Sequence, residues 1–380
     1  MPHDPPLVLV CPLEWGLGHA TRCIPVIRAF MARGCRVVIA ADGHPLALLK
    51  QEFGEQAGYR VLPGMKITYP ERGCMAWKGM VQLLPMAVSL AREHRRLKKL
   101  LTEVDATLIV SDNRYGLFAQ ALPSVLITHQ LFVRAPAGLR WMEPLLHRVV
   151  AFFVSKHFQC WVPDHAGQPN LSGDLSHRRP LRGCRFVGPL SRFPVQDPPA
   201  ALPDDLPADY VLAMVSGPEP QREKLENKLR EQLSAYPMAG VLIRGRADGH
   251  SVQREGSLLL IDHLPSARMQ LLIAGARVVV CRSGYSTVMD LSVFGKKALM
   301  IPTPGQPEQE YLGQMLQENG WVACMDQEAL CLDQGIEKAL GMKGLPLSKG
   351  SEGRLSAAVE GVLRQLTING SLSWQKPPQG

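Results

Sequence analysis

Short apolar runs alternate along this 380-residue chain with longer stretches whose apolar positions recur every three or four residues. The first texture is that of strands buried on both faces, the second that of amphipathic helices. LVLVC (Leu7–Cys11) predicts a strand, followed by a glycine turn and a helix over Ala20–Arg33. RVVIAAD (Arg36–Asp42) predicts the next strand, then come a helix near Pro45–Phe53 and the segment YRVLP. A long amphipathic region, Met75–Glu103, precedes ATLIVSD (Ala106–Asp112). A short helix, SVLITHQ (Ser124–Gln130) and CWVPD (Cys160–Asp164), the expected last core strand, complete this half. Strands alternating with helices predict a parallel, doubly wound sheet.

The alternation stops between Gly188 and Pro207, where FPVQDPPAALPDDLP is too proline-rich for helix or strand and reads as a linker. It restarts with YVLAMVS (Tyr210–Ser216), a helix over Pro220–Ser234, and the strands GVLIRG and SLLLID. The helix Pro265–Ala274, RVVVC (Arg277–Cys281), the helix Thr287–Phe294, KALMIP (Lys297–Pro302) and the helix Glu308–Asn319 follow. One more amphipathic helix, Arg354–Leu366, lies near the end. The expected fold class is therefore α/β, with two Rossmann-like domains. Residues 1–190 form the first, 191–207 the linker, 208–345 the second, and 346–380 a terminal helix and tail.

Composition narrows the class without changing this picture. With 46% apolar and 20% charged residues the chain is neither disordered nor fibrous. No run approaches the ~20 apolar residues of a membrane span, and MPHDPPLVLVCPLEW lacks the basic start of a secretory signal. Nine scattered cysteines without a C-x-x-C pair or metal-ligand spacing fit a reducing compartment, so a cytoplasmic location is expected. Charge is informative through its distribution. Residues 1–200 carry a net +10 and residues 201–380 a net −2, so the first half is expected to meet something anionic. Aromatics are only 6% and interleave with no basic stripe, which argues against nucleic acid. A membrane-proximal or phosphorylated partner remains. Trp77–Leu101, apolar and then carrying Arg92, Arg95, Arg96, Lys98 and Lys99, reads either as a helix on an anionic bilayer or as a packed helix with a wet charged face.

Ligands of doubly wound sheets bind beyond the carboxyl ends of the strands, and the polar, glycine-rich segments fall there. Between the first strand and helix, PLEWGLGHATR offers Gly16 and Gly18 for close backbone approach and a helix start suited to phosphate. The spacing is not G-x-G-x-x-G, since Thr21 stands at the third glycine, so a dinucleotide fingerprint is not expected. His19 opens that helix, either as a general base or as a capping or core histidine. Asp112 could orient or replace it, or cap the next segment. Glu14 is a third candidate, and Asn113, Arg114 and His129 lie at neighbouring strand ends as acceptor or phosphate contacts. In the second half the corresponding turns are Ser216–Arg222, Cys281–Thr287 and Pro302–Glu310.

The run VVVCRSGYSTVMDLSVFGKKALMIPTPGQPEQEYLGQ closely resembles the nucleotide-sugar-binding domain of family 28 glycosyltransferases, strongly from Val278 to Gln314 and more broadly over Tyr210–Leu340. That family includes the UDP-N-acetylglucosamine transferase that completes lipid II. WGLGH resembles its N-terminal glycine loop over fewer residues. The resemblance implies a GT-B enzyme, two domains facing across a cleft. Asp290 would hold the donor ribose, where the family usually has Glu, and Gln309 and Glu310 the donor sugar, where it usually has Gln-Gln. Ser283 and Gly284 would face the diphosphate and His263 and Leu264 the uracil, while Ser216 and Gly217 lie in a turn one residue longer than the family's. No Asp-x-Asp motif is present, so no metal and no cofactor beyond the UDP-sugar co-substrate are expected. Arg222, Arg244 and Arg282 are the cations available to a leaving diphosphate, or else solvated surface arginines. The expected function is inverting, metal-independent transfer of a hexosyl group, N-acetylglucosamine first, to a sugar or lipid-linked acceptor, by a cytoplasmic enzyme at the inner membrane face. A nucleotide-sugar 2-epimerase and a non-catalytic nucleotide-sugar-binding protein are the rival expectations.

Overall fold

The computed structural model describes residues 5–14, 16–64, 83–135, 137–193, 209–246, 249, 251–348 and 351–368. They divide into two compact units. One holds the described residues up to Leu190 together with the last helix; the other runs from Ser191 to Ser348.

The first unit is built on a seven-stranded sheet in the order β3-β2-β1-β4-β5-β6-β7. Its strands are β1 (Leu7–Pro12), β2 (Arg36–Ala41), β3 (Gly58–Val61), β4 (Leu108–Asp112), β5 (Ser124–Ile127), β6 (Gln159–Val162) and β7 (Cys184–Phe186), paired in parallel throughout. Helices α1 (Leu17–Met31), α2 (Gly43–Phe53), α3 (Leu83–Leu100), α4 (Glu143–Lys156) and the short α5 (Asp174–His177) connect them. Covered on both faces, the central strands are apolar at every step, and Val8, Leu9, Val10, Leu108, Ile109 and Val110 are fully buried. The sheet does not end at Cys160–Asp164: β7 adds a further strand.

The second unit repeats the plan in the order β10-β11-β9-β8-β12-β13-β14. Here β8 (Tyr210–Met214), β9 (Ala239–Ile243), β11 (Leu258–Ile261), β12 (Val278–Cys281), β13 (Ala298–Met300) and β14 (Ala323–Cys324) run parallel, and β10 (Val252–Glu255) pairs antiparallel with β11. The helices are α6 (Gln221–Ala235), α7 (Ser266–Gly275), α8 (Tyr285–Ser292), α9 (Pro307–Glu318) and α10 (Leu332–Leu340). Leu225, Leu229 and Leu233 of α6 and Ile336 and Ala339 of α10 close one core over the sheet.

The last helix, α11 (Ser351–Ile368), expected as an appended tail, packs on the first unit. Arg33 donates to Ser356 Oγ at 2.5 Å, and Arg354 and His165 Nδ1 lie 2.8 Å apart. Gly188, with φ of +80°, lies so close to Ser351 that a Cβ there would meet its Cα at 3.0 Å.

Among the basic residues expected on a bilayer, α3 exposes Arg92, Arg95, Arg96, Lys98 and Lys99 while Glu93, Leu97 and Leu100 are buried. The described part of this helix is thus packed, with a wet charged face. The apolar sequence from Trp77 up to residue 82, like the proline-rich stretch 194–207, lies outside the described residues. Among those described, no helix is long and apolar enough to cross a membrane.

Candidate functional site

In the first unit the chain order jumps at β1 and β4, which are sheet neighbours although two strands separate them in sequence. Their register pairs Pro12 with Asp112, and Asp112 with Ile127 of β5, so three strands end level. This is the switch point at which doubly wound sheets open a crevice. Gly16, at φ +67°, begins α1 there and puts His19 in its first turn. His19 Nδ1 lies 2.9 Å from Asp112 Oδ2. One turn on, Arg22 donates from Nε to both Asp112 oxygens at 2.8 Å, while its Nη2 lies 2.8 Å from His19 Nδ1 and its Nη1 3.2 Å from His129 Nδ1. Asp112 is completely buried and His19 retains 15% side-chain exposure.

Burial alone would raise the Asp112 carboxyl, but the charges of Arg22 and His19 outweigh it and hold the group below its ordinary value. Burial lowers the His19 imidazole, and Arg22 lowers it further, against the raising pull of Asp112. Near neutral pH the pair is therefore a carboxylate beside a neutral imidazole. His19 Nδ1 thus faces both an acceptor, Asp112 Oδ2, and a donor, Arg22 Nη2; in the tautomer that donates Nδ1–H to Asp112, Nε2 is the proton acceptor.

The other expected residues of this half are placed differently. Glu14 accepts the Gly64 amide at 2.6 Å in the loop beyond β3. Arg114 is buried and spent internally, donating to Glu93 at 2.9 Å and to the carbonyls of Leu62 and Pro63 at 3.1 and 3.2 Å. Asn113 adopts a left-handed φ of +54°, and its Oδ1 accepts the Thr128 hydroxyl at 3.0 Å. Gly18 accepts the Thr21 hydroxyl at 3.0 Å. The structure thus joins His19, Asp112 and His129, and adds Arg22, which the sequence pattern does not single out. Its one local signal was the three-residue spacing from His19, which puts both on one helix face.

In the second unit the equivalent switch point lies between β8 and β12, where Met214 pairs with Cys281. Ser216 and Gly217 stand exposed beyond β8, with Gly217 at φ +115°. Ser283 and Gly284 lead from β12 into α8, whose N-cap is Gly284. His263, half-buried, and Leu264, buried, follow β11.

The three arginines expected as available cations are held by protein oxygens instead. Arg222 bonds Glu219 and Glu226, and Arg244 bonds Glu226 at 2.6 Å and Asp262 at 3.0 Å. Glu226, which burial alone would raise, is kept below its ordinary value by Arg222 and Arg244. Arg282 is 1% exposed and ties four places together: it donates to Ile301 O, Pro302 O, Gln221 O and Gln327 Oε1 at 3.2, 3.1, 2.9 and 2.6 Å. Burial pushes its pKa down to about 10, so it stays charged. These loop acceptors satisfy the two Nη groups, while the buried Nε has no hydrogen-bond partner among the described residues.

Asp290 on α8 accepts Ser191 Oγ at 2.7 Å and faces Arg192 Nε at 3.4 Å. Burial raises its carboxyl, outweighing Arg192 and Ser191. Gln309 shapes the loop after β13: its Oε1 accepts the Thr303 amide at 2.9 Å and its carbonyl the Ser283 hydroxyl at 2.7 Å. The more exposed Glu310 accepts the Gly305 amide at 2.8 Å. Among the described residues, no group of three His, Cys, Asp or Glu is disposed to hold a metal.

Two doubly wound units with polar loops at both switch points define the fold, GT-B, and the family-model and relatives' matches make the class a glycosyltransferase. The solved glycotransferase of kitacinnamycin superposes with a TM-score of 0.63 over 96% of this chain and 100% of its own, at 16% identity. Residues 222–358 match the glycosyltransferase family 28 C-terminal domain. Two relatives bear the name UDP-N-acetylglucosamine--N-acetylmuramyl-(pentapeptide) pyrophosphoryl-undecaprenol N-acetylglucosamine transferase. That of Acidiphilium cryptum is 24% identical, with 92% of each chain covered. That of Streptomyces collinus is 28% identical over 177 residues, 44% of this chain and 46% of the relative, so the match spans under half of that protein.

Proposed function

We propose that the protein transfers N-acetylglucosamine from a UDP donor, held by residues 208–345, to a lipid-linked or otherwise anionic acceptor held by residues 1–190. The observation that carries the chemistry is the His19–Asp112 pair at the switch point of the first sheet. In this reading an acceptor hydroxyl attacks the anomeric carbon as His19 Nε2 takes its proton. The bond from that carbon to the diphosphate oxygen breaks, UDP leaves, and the single displacement inverts the anomeric centre. Asp112 holds the ring and stabilises the imidazolium that forms. Because Arg222, Arg244 and Arg282 are engaged, the leaving diphosphate is assigned to backbone amides at the Ser216–Gly217 turn and at Ser283–Gly284, with no metal. Support for the donor comes from the family 28 domain and the relatives' names.

The test combines binding with turnover. UDP-N-acetylglucosamine should raise the melting temperature more than GDP- or dTDP-sugars, and His19→Ala should keep that shift while losing transfer to a polyprenyl-diphosphate sugar. Equal response to all three nucleotides would remove the donor assignment, and an active His19→Ala would remove the base.

A further inference from the structure

Strands β6 and β7 form one edge of the first sheet, and their parallel register pairs Cys160 with Cys184. Partners in register turn their side chains to the same face, and both thiols join the cluster that Val150 and Val154 of α4 cover. Neighbouring strands run about 4.7–4.9 Å apart, inside the roughly 4.4–6.8 Å between Cα atoms that a disulfide spans. The two sulfurs are hydrogen-bonded to one another, and both are free thiols. The other strand cysteines among the described residues have no such neighbour. Cys11 pairs with Ser111, Cys281 with Met214 and Met300, and Cys324 with Met300.

The two thiols are not equivalent. Cys160 is 1% exposed, whereas Cys184 is only half-buried on the short edge strand. The hydrogen bond from Cys160, with a backbone bond from Leu181, outweighs burial and holds the Cys184 thiol below its ordinary value. The same bond to Cys184, together with burial, raises Cys160. An accessible thiol that ionises readily, beside a shielded one, suits an attacking and a resolving cysteine.

We propose that Cys160 and Cys184 form a reversible dithiol–disulfide site that reacts with small disulfides of the glutathione type and, when oxidised, fastens β7 to β6. The Cys184 thiolate, its proton released to water, attacks one sulfur of the small disulfide. That S–S bond breaks, a mixed disulfide forms on Cys184, and the departing thiolate takes a proton from water. Cys160 then attacks Sγ of Cys184, the mixed disulfide breaks, and the Cys160 proton leaves with the second small thiol. Two protein thiols are thereby oxidised to one disulfide while one small disulfide is reduced to two thiols. In a reducing compartment the pair rests as thiols and closes when the glutathione pool is oxidised. None of the residues assigned to glycosyl transfer takes part, so the site goes beyond that reading and stands without it.

The experiment treats the full chain with excess oxidised glutathione, quenches with acid, alkylates the remaining thiols and maps the peptides by mass spectrometry. Wild type should yield a linked Cys160–Cys184 peptide that dithiothreitol returns to free thiols. Its melting temperature should rise by about 3–10 °C on oxidation. Cys160→Ala should stop at a glutathione adduct on Cys184, and Cys184→Ser should leave Cys160 a thiol; neither should show the rise. The wild-type map decides the matter even where a variant fails to fold. A wild-type Cys184 that stays a free thiol, or keeps its glutathione adduct without linking to Cys160, would overturn the proposal. So would preferential linkage of either residue to another cysteine. An unchanged melting temperature in the linked protein would overturn the fastening of β7.

Discussion

Histidine 19 is held by groups that fix both its orientation and its protonation. Because burial and Arg22 lower its pKa below the ordinary 6.5, the acid limb of kcat should fall below that pH rather than at it. His19→Ala should reduce kcat by about 10²–10⁴-fold. The N-cap of α1 is Gly16, not His19, so His19→Asn should be as impaired as the alanine variant in the same assay; an active Asn variant would return the residue to a structural role. Stability follows the same sign. His19 and Asp112 both titrate lower in the folded chain, so the folded state binds fewer protons than the unfolded one. Their contribution is complete above about pH 6.5 and is lost on acidification, first through the imidazole and then through the carboxyl. Arg22→Ala would leave Asp112 buried without its cation and should cost about 3–5 kcal/mol in urea unfolding. Arg22→Lys should recover only part of that, since an ammonium cannot reproduce the bidentate contact.

Elements were legible where burial imposes a simple pattern. Strands such as Leu7–Pro12 and Val278–Cys281 lie between helices and are apolar at every position, so their runs stand out. Short edges do not. Cys184–Phe186 is only half-buried, Ala323–Cys324 is two residues long, and Val252–Glu255 reads VQRE because its edge faces water. Helix α10 escaped the same reading, although it packs closely enough to need Gly335. A Cβ there would lie 2.5 Å from Leu299 Cδ2 and 2.9 Å from Met325 Sδ. Alanine is the better helix former by about 1 kcal/mol, yet Gly335→Ala should lower stability by about 1–3 kcal/mol through overpacking of β13. A lower denaturation midpoint checks this; a higher one would mean that the helix can slide on the sheet.

At the scale of the whole molecule, the site was half visible. His19, Asp112 and His129 were found because polar residues after apolar runs mark strand ends. Arg22 was not, because its partner lies 90 residues away and meets it only through the adjacency of β1 and β4. The arginines of the second unit are the converse case: residue type suggests anion binding, while folding brings Glu226, Asp262 and backbone carbonyls to the same guanidinium groups. If backbone amides therefore stabilise the leaving group, transfer should persist in EDTA and gain nothing from added Mg²⁺ or Mn²⁺. Activity abolished by chelation and restored by either ion would reverse that assignment. Helix α11 has a consequence of another kind. Among the described residues the second unit comes from one stretch of the sequence, Ser191 to Ser348, whereas the first needs a segment translated after it. During synthesis the second unit can therefore complete its core while the earlier one still waits for helix α11. Until then the surface of α1 around Arg33 remains uncovered by Ser356, and the unit that emerges first is the last to close.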